Sequence, residues 1–337
     1  MHASIHATAA NTPGGAPRGK AWLRAAAALL LAAAPLVALA QAYPNKPIRF
    51  INNFPSGGPS DILARAVGEA VQTALKQPVV VENKPGAAGN LGADQVAKSP
   101  GDGYTVLFSI DTTFTINPHI YKSTPFKLAD FKPVMLMASS GLLVGVHPST
   151  GFKMLKDLVA AGKTRALNFS SAGSGSPWHL AVEIFMDAAG VHIQHVLYKG
   201  NAPAVTAVFA GEVDAGVLAT PGMLYYVRTG KITALAVTSR QRSRLAPEIP
   251  AVAEARLKDL EIEVLYLAFV PASTPDAVVQ TLQKAFAEAL RWPEAQTRLN
   301  SMEMHYEGLV GADVGKRLAE ASQRYGRIIQ ATGMKVE

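Results

Sequence analysis

Cysteine is absent from the sequence. Its absence excludes a disulfide-linked scaffold, a thiolate zinc site, an iron–sulfur cluster and a cysteine nucleophile. Charged residues are scarce, at 17% of the 337 residues, whereas hydrophobic residues make up 49%. Disordered and coiled-coil chains have the opposite balance. The composition therefore predicts a folded protein with a sizeable core, and the length is that of about two domains.

Long hydrophobic runs are also absent, except for one of 15 residues at positions 25–39. This run follows a basic segment, 18–24, and ends in the Ala-x-Ala pattern of residues 38–40. The three features together are typical of a secretory signal peptide. The alternative is a membrane anchor, which needs about 20 apolar residues. We therefore expect residues 1–40 to be a signal peptide that is cleaved after Ala40, and the mature protein to be exported.

Motifs of the common enzymes and nucleic-acid-binding proteins are missing. The sequence has no His-Glu-x-x-His, no P-loop and no Gly-x-Ser-x-Gly elbow. The net charge of +7 is not concentrated in basic runs with interleaved aromatic residues. A hydrolytic triad built on Ser174 or Ser176, with His179 as the base and Asp214 as its partner, has no support from the spacing. We therefore expect a protein that is not an enzyme and does not bind nucleic acid.

Four histidines lie close together in the sequence, namely His147, His179, His192 and His195. Their spacing does not place two of them on one face of a helix, which is where helical metal ligands lie. Each is more simply interpreted as a surface residue or a hydrogen-bonded core residue. The sequence therefore predicts no metal site and no cofactor.

Short apolar runs alternate with helical patterns after residue 40. The run at 48–51 precedes a loop of turn residues and then a helix whose apolar pairs recur every four positions. The same strand–loop–helix order begins again at 79 and at 167. This order favours a parallel sheet covered by helices, so the predicted fold class is α/β. We expect two lobes, with short strand-like crossings near 138–141 and 263–269.

Two glycine-rich loops, 54–61 and 171–176, each connect a predicted strand to a predicted helix. Glycines leave backbone amides uncovered, and a helix start presents unpaired N–H groups at the positive end of its dipole. Such an end binds anions. Neither loop contains Lys or Arg, so both suit a carboxylate held by neutral donors. The alternative is a purely structural turn, in which Ser60 or Ser176 is simply an N-cap.

Several motifs resemble those of one family. They are Phe54-Pro-x-Gly-Gly-Pro-Ser-Asp61, Glu82-Asn-x-Pro-Gly-Ala-x-Gly-Asn-x-Gly92, Gly173-x-Gly-Ser-x-x-His-Leu-Ala181, Tyr198-Lys-Gly200 and Gly211-x-Val-Asp214. The chain resembles the Bug receptors, which are the substrate-binding proteins of tripartite tricarboxylate transporters. The resemblance implies a type II periplasmic-binding-protein fold with a ligand cleft between two α/β lobes. It implies that residues 41–140 and 265–337 form lobe 1 and that residues 141–264 form lobe 2.

The resemblance also implies a function and a set of ligand-binding residues. We expect a monomeric periplasmic protein that closes on a di- or tricarboxylate, an amino acid or an aromatic acid. It would deliver this ligand to a membrane permease or, alternatively, report it to a signalling ectodomain. The implied ligand-binding residues are Phe54, Pro55, Ser56, Gly57, Gly58, Ser60, Asp61, Thr112, Ser171, Gly173, Ser174, Gly175, Ser176, His179 and Asp214. Asn52 and Asn53 stand where the family usually has apolar residues, which predicts a more polar cleft floor.

Overall fold

The computed structural model describes residues 43–173, 175–198, 200–255 and 257–335. The predicted signal peptide and Ser174 therefore lie outside the described residues. The chain forms two units, Met1–Asn45 and Lys46–Glu337, and the fold below is that of the second unit. Among the described residues, no helix has the length and apolar character that crossing a membrane would need.

Strands and helices alternate through most of the described chain. The strands are β1 (Ile48–Asn52), β2 (Val79–Asn83), β3 (Thr105–Ile110), β4 (Phe131–Val146), β5 (Leu167–Ser171), β6 (Ile193–Leu197), β7 (Ala215–Ala219), β8 (Thr233–Val237), β9 (Glu263–Pro271) and β10 (His305–Leu309). The α-helices are α1 (Pro59–Leu75), α2 (Asn90–Ala97), α3 (Thr112–Thr115), α4 (Asn117–Ile120), α5 (Leu155–Gly162), α6 (Pro177–Ala189), α7 (Asn201–Ala210), α8 (Thr220–Arg228), α9 (Asp276–Ala289), α10 (Pro293–Ser301) and α11 (Ala312–Thr332).

One long strand, β4, joins two groups of strands. The strand order is β2-β1-β3-β9-β4-β7-β5-β6, and β8 and β10 also pair with β4. Residues 131–141 of β4 pair with β9, whereas residues 142–146 pair with β7 and β8. From Val134 onward every residue of β4 is buried, as expected for a strand in the interior of a sheet that is covered on both faces.

The strand directions bring two sets of carboxyl ends toward the middle of β4. β1 and β3 run in the same direction as β4, because β3 is antiparallel to β9 and β9 is antiparallel to β4. β5 and β7 run in the opposite direction, because β7 is antiparallel to β4 and parallel to β5. Ile110, the last residue of β3, and Ala138 of β4 both pair with Tyr266 of β9, whereas Ala219, the last residue of β7, pairs with Leu142 of β4. The carboxyl ends of β3 and β7 are therefore separated by four residues along β4, which is about 13 Å.

Separate cores lie around the two groups of strands. In the first group, Phe50, Phe108 and Phe286 form a cluster with ring centroids 4.6 to 5.6 Å apart. In the second group, the core includes Leu218 of β7 and Val208 of α7, both fully buried. Burial of each such side chain contributes about 1.5–3 kcal/mol, so either core supplies a substantial hydrophobic stabilisation.

The predicted α/β class is confirmed, and the strand–loop–helix units predicted to begin at 48, 79 and 167 begin with β1, β2 and β5 at those residues. Two features depart from what the local sequence pattern indicates. The apolar run at 142–146 is only the last part of β4, which begins at Phe131, since the polar residues at 132, 139 and 140 interrupt the apolar pattern without ending the strand. Pro293, a residue type that commonly ends a helix, is instead the first residue of α10, where its missing N–H costs nothing. The predicted crossings lie in β4 and β9, and the division into two lobes stays a prediction.

Candidate functional site

The first loop ends at a helix start that has no capping side chain. Helix α1 begins at Pro59 with Gly58 as its N-cap, in an extended conformation with φ −76° and ψ 166°. Proline is well suited to this first position. Because Gly58 has no side chain, it leaves the first amides of α1 without the capping oxygen that a serine would supply. The loop therefore presents open backbone donors at the positive end of a 17-residue helix.

Asp61 holds the first loop in shape. Its carboxylate accepts hydrogen bonds from the Gly57 N–H at 2.9 Å, from Arg65 Nε at 3.2 Å and from Asn83 Nδ2 at 2.9 Å. Burial raises the pKa of Asp61, but the hydrogen bonds from Gly57, Arg65 and Asn83 outweigh it and hold that pKa below its ordinary value. The carboxylate is occupied by these partners, so Asp61 orients the loop and does not need to meet the ligand.

The floor under the first loop is polar, because two asparagines lie there. Asn52 and Asn53 are both fully buried. Asn52 Nδ2 donates to the Phe54 carbonyl at 2.9 Å, and Asn53 Nδ2 donates to Ser109 Oγ at 3.0 Å. Neither Oδ1 atom has a hydrogen-bond partner among the described residues. Because an unpaired buried acceptor is costly, these two oxygens mark a place where a donor would be stabilised.

A third loop, 86–89, lies against this floor, and the sequence-based site did not include it. Ala87 and Ala88 adopt left-handed φ values of 47° and 50°, which are uncommon for alanine. The carbonyl of Gly89 accepts from Asn53 Nδ2 at 3.0 Å. A Cβ at Gly89 would lie 2.5 Å from the same Nδ2 atom, so this position requires glycine. The signal that could have found the loop is its glycine-rich sequence directly before helix α2.

Thr112, one of the implied ligand-binding residues, is the first residue of α3 at the end of β3 and is buried. The preceding residue, Asp111, accepts a hydrogen bond from the Leu265 N–H at 3.0 Å. Complete burial raises the pKa of Asp111 to about 7, even though the hydrogen bond from Leu265 lowers it. The structure therefore places Thr112 at the same carboxyl ends as the first loop, beside a buried carboxyl group.

The second loop has a capped helix start. Ser176 Oγ accepts from the His179 N–H at 3.2 Å and donates to the Gly173 carbonyl at 2.6 Å. Ser176 is therefore the N-cap of α6, as the structural alternative had it. Gly173 and Gly175 have φ values of 106° and 72°, which glycine adopts readily. The Gly175 N–H donates to His179 Nδ1 at 3.3 Å, so the imidazole ring of His179 holds the backbone of the loop in place.

His179 contacts a second histidine that the sequence spacing did not pair with it. The His179 and His195 ring centroids are 4.5 Å apart, and His179 Nε2 lies 3.3 Å from Glu183 Oε1. A hydrogen bond of 2.5 Å joins His195 Nε2 to Ser171 Oγ. Burial, and then the neighbouring His179, lower the pKa of His195 to about 4. The side chain of Ser171 is thus engaged with His195 at the end of β5.

Asp214 is not brought to the loops. It lies immediately before β7, at the amino end of this strand, whereas the second loop follows the carboxyl end of the neighbouring, parallel β5. Its carboxylate pairs with Arg165 at 2.8 Å and accepts from the Asn168 N–H at 2.9 Å. Burial raises the pKa of Asp214, but these two partners outweigh it. Asp214 therefore braces the far end of β5 and β7, and no triad with Ser176 and His179 is assembled.

The other predicted residues occur at strand ends that converge on the middle of β4. They are Phe54, Pro55, Ser56, Gly57, Gly58, Ser60 and Asp61 after β1, Thr112 after β3, and Ser171, Gly173, Gly175, Ser176 and His179 at or after the end of β5. Asn52, Asn53 and loop 86–89 join the first set. The arrangement offers neutral N–H and hydroxyl donors from two directions, which is the chemistry of an anion site.

The fold is that of periplasmic solute-binding proteins. A TctC solute binding protein from Polaromonas matches with a TM-score of 0.76 and 29% identity, over 86% of this chain and 99% of that one. The periplasmic binding protein BugD matches with a TM-score of 0.73 and 27% identity, over 88% of this chain and all of that one. An R. palustris protein with adipate matches with a TM-score of 0.75 and 27% identity, over 87% of this chain and 99% of that one.

Sequence comparison identifies the family within this class. The model of the tripartite tricarboxylate transporter family receptor, TctC, matches residues 63–334. BugT of Bordetella pertussis is 31% identical over 303 residues, which are 88% of this chain and 93% of BugT. This chain therefore belongs to the TctC family of tripartite tricarboxylate transporter receptors. The predicted resemblance to Bug receptors and the predicted periplasmic-binding-protein fold are confirmed.

Proposed function

We propose that this protein captures a small carboxylate between loops 54–61 and 171–176 and delivers it to a membrane transporter. The observation that carries the proposal is the uncapped start of α1, where Gly58 leaves backbone amides open at converging strand ends. The absence of Lys and Arg from both loops suits an acid held by neutral donors. The R. palustris relative with adipate supports a dicarboxylate as the first ligand to test.

Capture would work by closure of two lobes. A carboxylate that meets donors from both loops stabilises the closed form, because only there do both sets of donors reach it. Binding at a few micromolar requires about 7–8 kcal/mol. Hydrogen bonds to a charged group contribute roughly 1.5–3 kcal/mol each, so three or four bonds in a closed cleft supply most of this free energy.

We further propose that the chain acts in the periplasm as a monomer after removal of residues 1–40. The basic segment, the apolar run and the Ala-x-Ala pattern support cleavage after Ala40. Mass spectrometry of the protein exported by a bacterial host would give the amino terminus directly. An amino terminus at Gln41 is the expected result, and retention of residue 1 in the exported protein would contradict cleavage.

The proposed ligand class is tested by thermal unfolding with a panel of acids. Adipate, other dicarboxylates, tricarboxylates and aromatic acids are compared with their uncharged diamides or amides, which keep the carbon skeleton and lose the carboxylate. An acid that binds should stabilise the protein by about 2.7 kcal/mol at a hundredfold excess over its dissociation constant. Failure of every acid, or equal stabilisation by an amide, would contradict the proposal.

A further inference from the structure

Two histidines and a glutamate converge where helix α6 meets strand β6. One donor atom from each of His179, Glu183 and His195 lies within 4.8 Å of the donor atoms of the other two. The four-residue spacing places His179 and Glu183 on one face of α6. His195 lies on the side of the sheet that faces α6, because it is aligned with Phe169 of β5, whose ring is 5.3 Å from Phe185 of α6. Its ring centroid is 4.5 Å from that of His179.

We propose that His179, Glu183 and His195 bind a divalent transition-metal ion, with Zn²⁺ as the best match. Two imidazoles and one carboxylate are a donor set that zinc accepts, whereas Mg²⁺ and Ca²⁺ favour oxygen donors alone. Tetrahedral zinc with donors about 2.0–2.2 Å away keeps neighbouring donors about 3.4 Å apart. The three donor atoms lie within 4.8 Å of one another, so side-chain rotation must shorten their separations by at most about 1.4 Å to reach this spacing.

The surroundings of the cluster favour a cation. His179 and Glu183 are each only 8% exposed, so the carboxylate has little solvation, and a bound cation would compensate for this. His195 is less buried and lies on the outermost strand of its group, which leaves a route to solvent. Ser171 Oγ holds the His195 ring by its 2.5 Å hydrogen bond, as an outer partner orients a metal-binding histidine.

Metal binding would compete with the second loop for His179. In the structure the Gly175 N–H donates to His179 Nδ1, so the neutral ring carries its proton on Nε2, directed at Glu183. Coordination through Nε2 moves the ring proton to Nδ1. The Gly175 amide would then face an N–H group and must turn away. The tautomer of His179 therefore reports on the metal.

The test is a Zn²⁺ titration of tag-free protein that has been treated with EDTA, against a fluorescent chelator. One equivalent of Zn²⁺ should bind. His179→Ala and His195→Ala should each weaken binding more than about 100-fold, beyond the 10–100-fold typical of outer-partner changes. Glu183→Gln should weaken it by at least about tenfold. The matched control is His192→Ala, because His192 is exposed and lies three residues before His195.

Two spectroscopic measurements sharpen the test. Co²⁺ in place of Zn²⁺ should give the visible absorption of a tetrahedral site, and ¹⁵N spectra should show His179 changing tautomer on metal addition. Circular dichroism establishes that each variant is folded. The proposal is overturned if no saturable binding occurs, if binding survives both histidine variants, or if His192→Ala weakens it equally. The Zn²⁺ titration is done without carboxylate, and the thermal unfolding with acids is done on metal-free protein, so failure of the metal site and failure of the proposed function are distinguished even though both involve loop 171–176.

Discussion

The two glycine-rich loops both lead into a helix start, but different side chains hold them in place. At the first loop the helix start is uncapped, and the carboxylate of Asp61 holds the loop from inside the helix. At the second loop Ser176 caps the helix, and the ring of His179 holds the loop amide of Gly175. The comparison indicates that the first loop keeps more open donors at its helix start, whereas the second has already used one of them.

The largest expected effect concerns these open donors. Gly58→Val should weaken carboxylate binding by more than about 100-fold, because its branched side chain covers the amides at the start of α1. The fold should survive, since Gly58 has an ordinary φ of −76° and an added Cβ would lie 3.5 Å from the Pro55 carbonyl oxygen. Calorimetric titration with the best acid of the panel measures the effect. Unchanged affinity would remove the first loop from the site.

The next largest effect concerns the hydrogen bonds by which Asp61 holds the first loop. Asp61→Ala leaves the Gly57 N–H and the Asn83 amide without their shared acceptor and should lower the free energy of unfolding by about 2–3 kcal/mol at neutral pH. Because the folded-state pKa of Asp61 lies below its ordinary value of 3.8, its stabilisation is complete at neutral pH, begins to decline as the pH approaches 3.8, and is lost as the pH falls through the folded pKa. Denaturant unfolding at several pH values measures the difference.

Arg65→Met is the control for this experiment. It removes an exposed partner of Asp61 and also the exposed bond from Arg65 to Asn83 Oδ1, but it leaves the bonds from Gly57 and Asn83 to Asp61 in place, so a loss of about 0.5–1 kcal/mol is expected. A loss as large as that of Asp61→Ala would mean that the ion pair, and not the loop, accounts for the role of Asp61.

The smallest expected effect concerns the second helix start. Ser176→Ala removes the cap from the His179 N–H and should lower the free energy of unfolding by about 1 kcal/mol. The same change frees that amide, so carboxylate affinity should change less than fivefold, in contrast to Gly58→Val. Ser176→Asp, which keeps an acceptor, should restore stability. A loss of binding as severe as that of Gly58→Val would show that the Ser176 hydroxyl itself meets the ligand.

The sequence predicted local features of the site better than distant ones. Both helix starts were found from glycine and serine next to apolar patterns, because helix capping is a local interaction. The distance of Asp214 from the loops could have been predicted from chain order alone, because Asp214 precedes its strand whereas the loops follow theirs. The contact between His179 and His195 could not, because it depends on the register of β5 with β6 and on how α6 packs. The floor around Asn53 is likewise formed by residues 36 to 60 positions away.

The length of β4 has a mechanical consequence. Both groups of strands hydrogen-bond to this single 16-residue strand, so one group can rotate against the other only by bending or twisting β4 and β9. A bend is easiest near Gly141, which has no side chain, but a Cβ there would lie 2.7 Å from Ser239 and leaves little room. If the two groups of strands move against each other as the proposed closure requires, this connection favours a small rotation over a wide one.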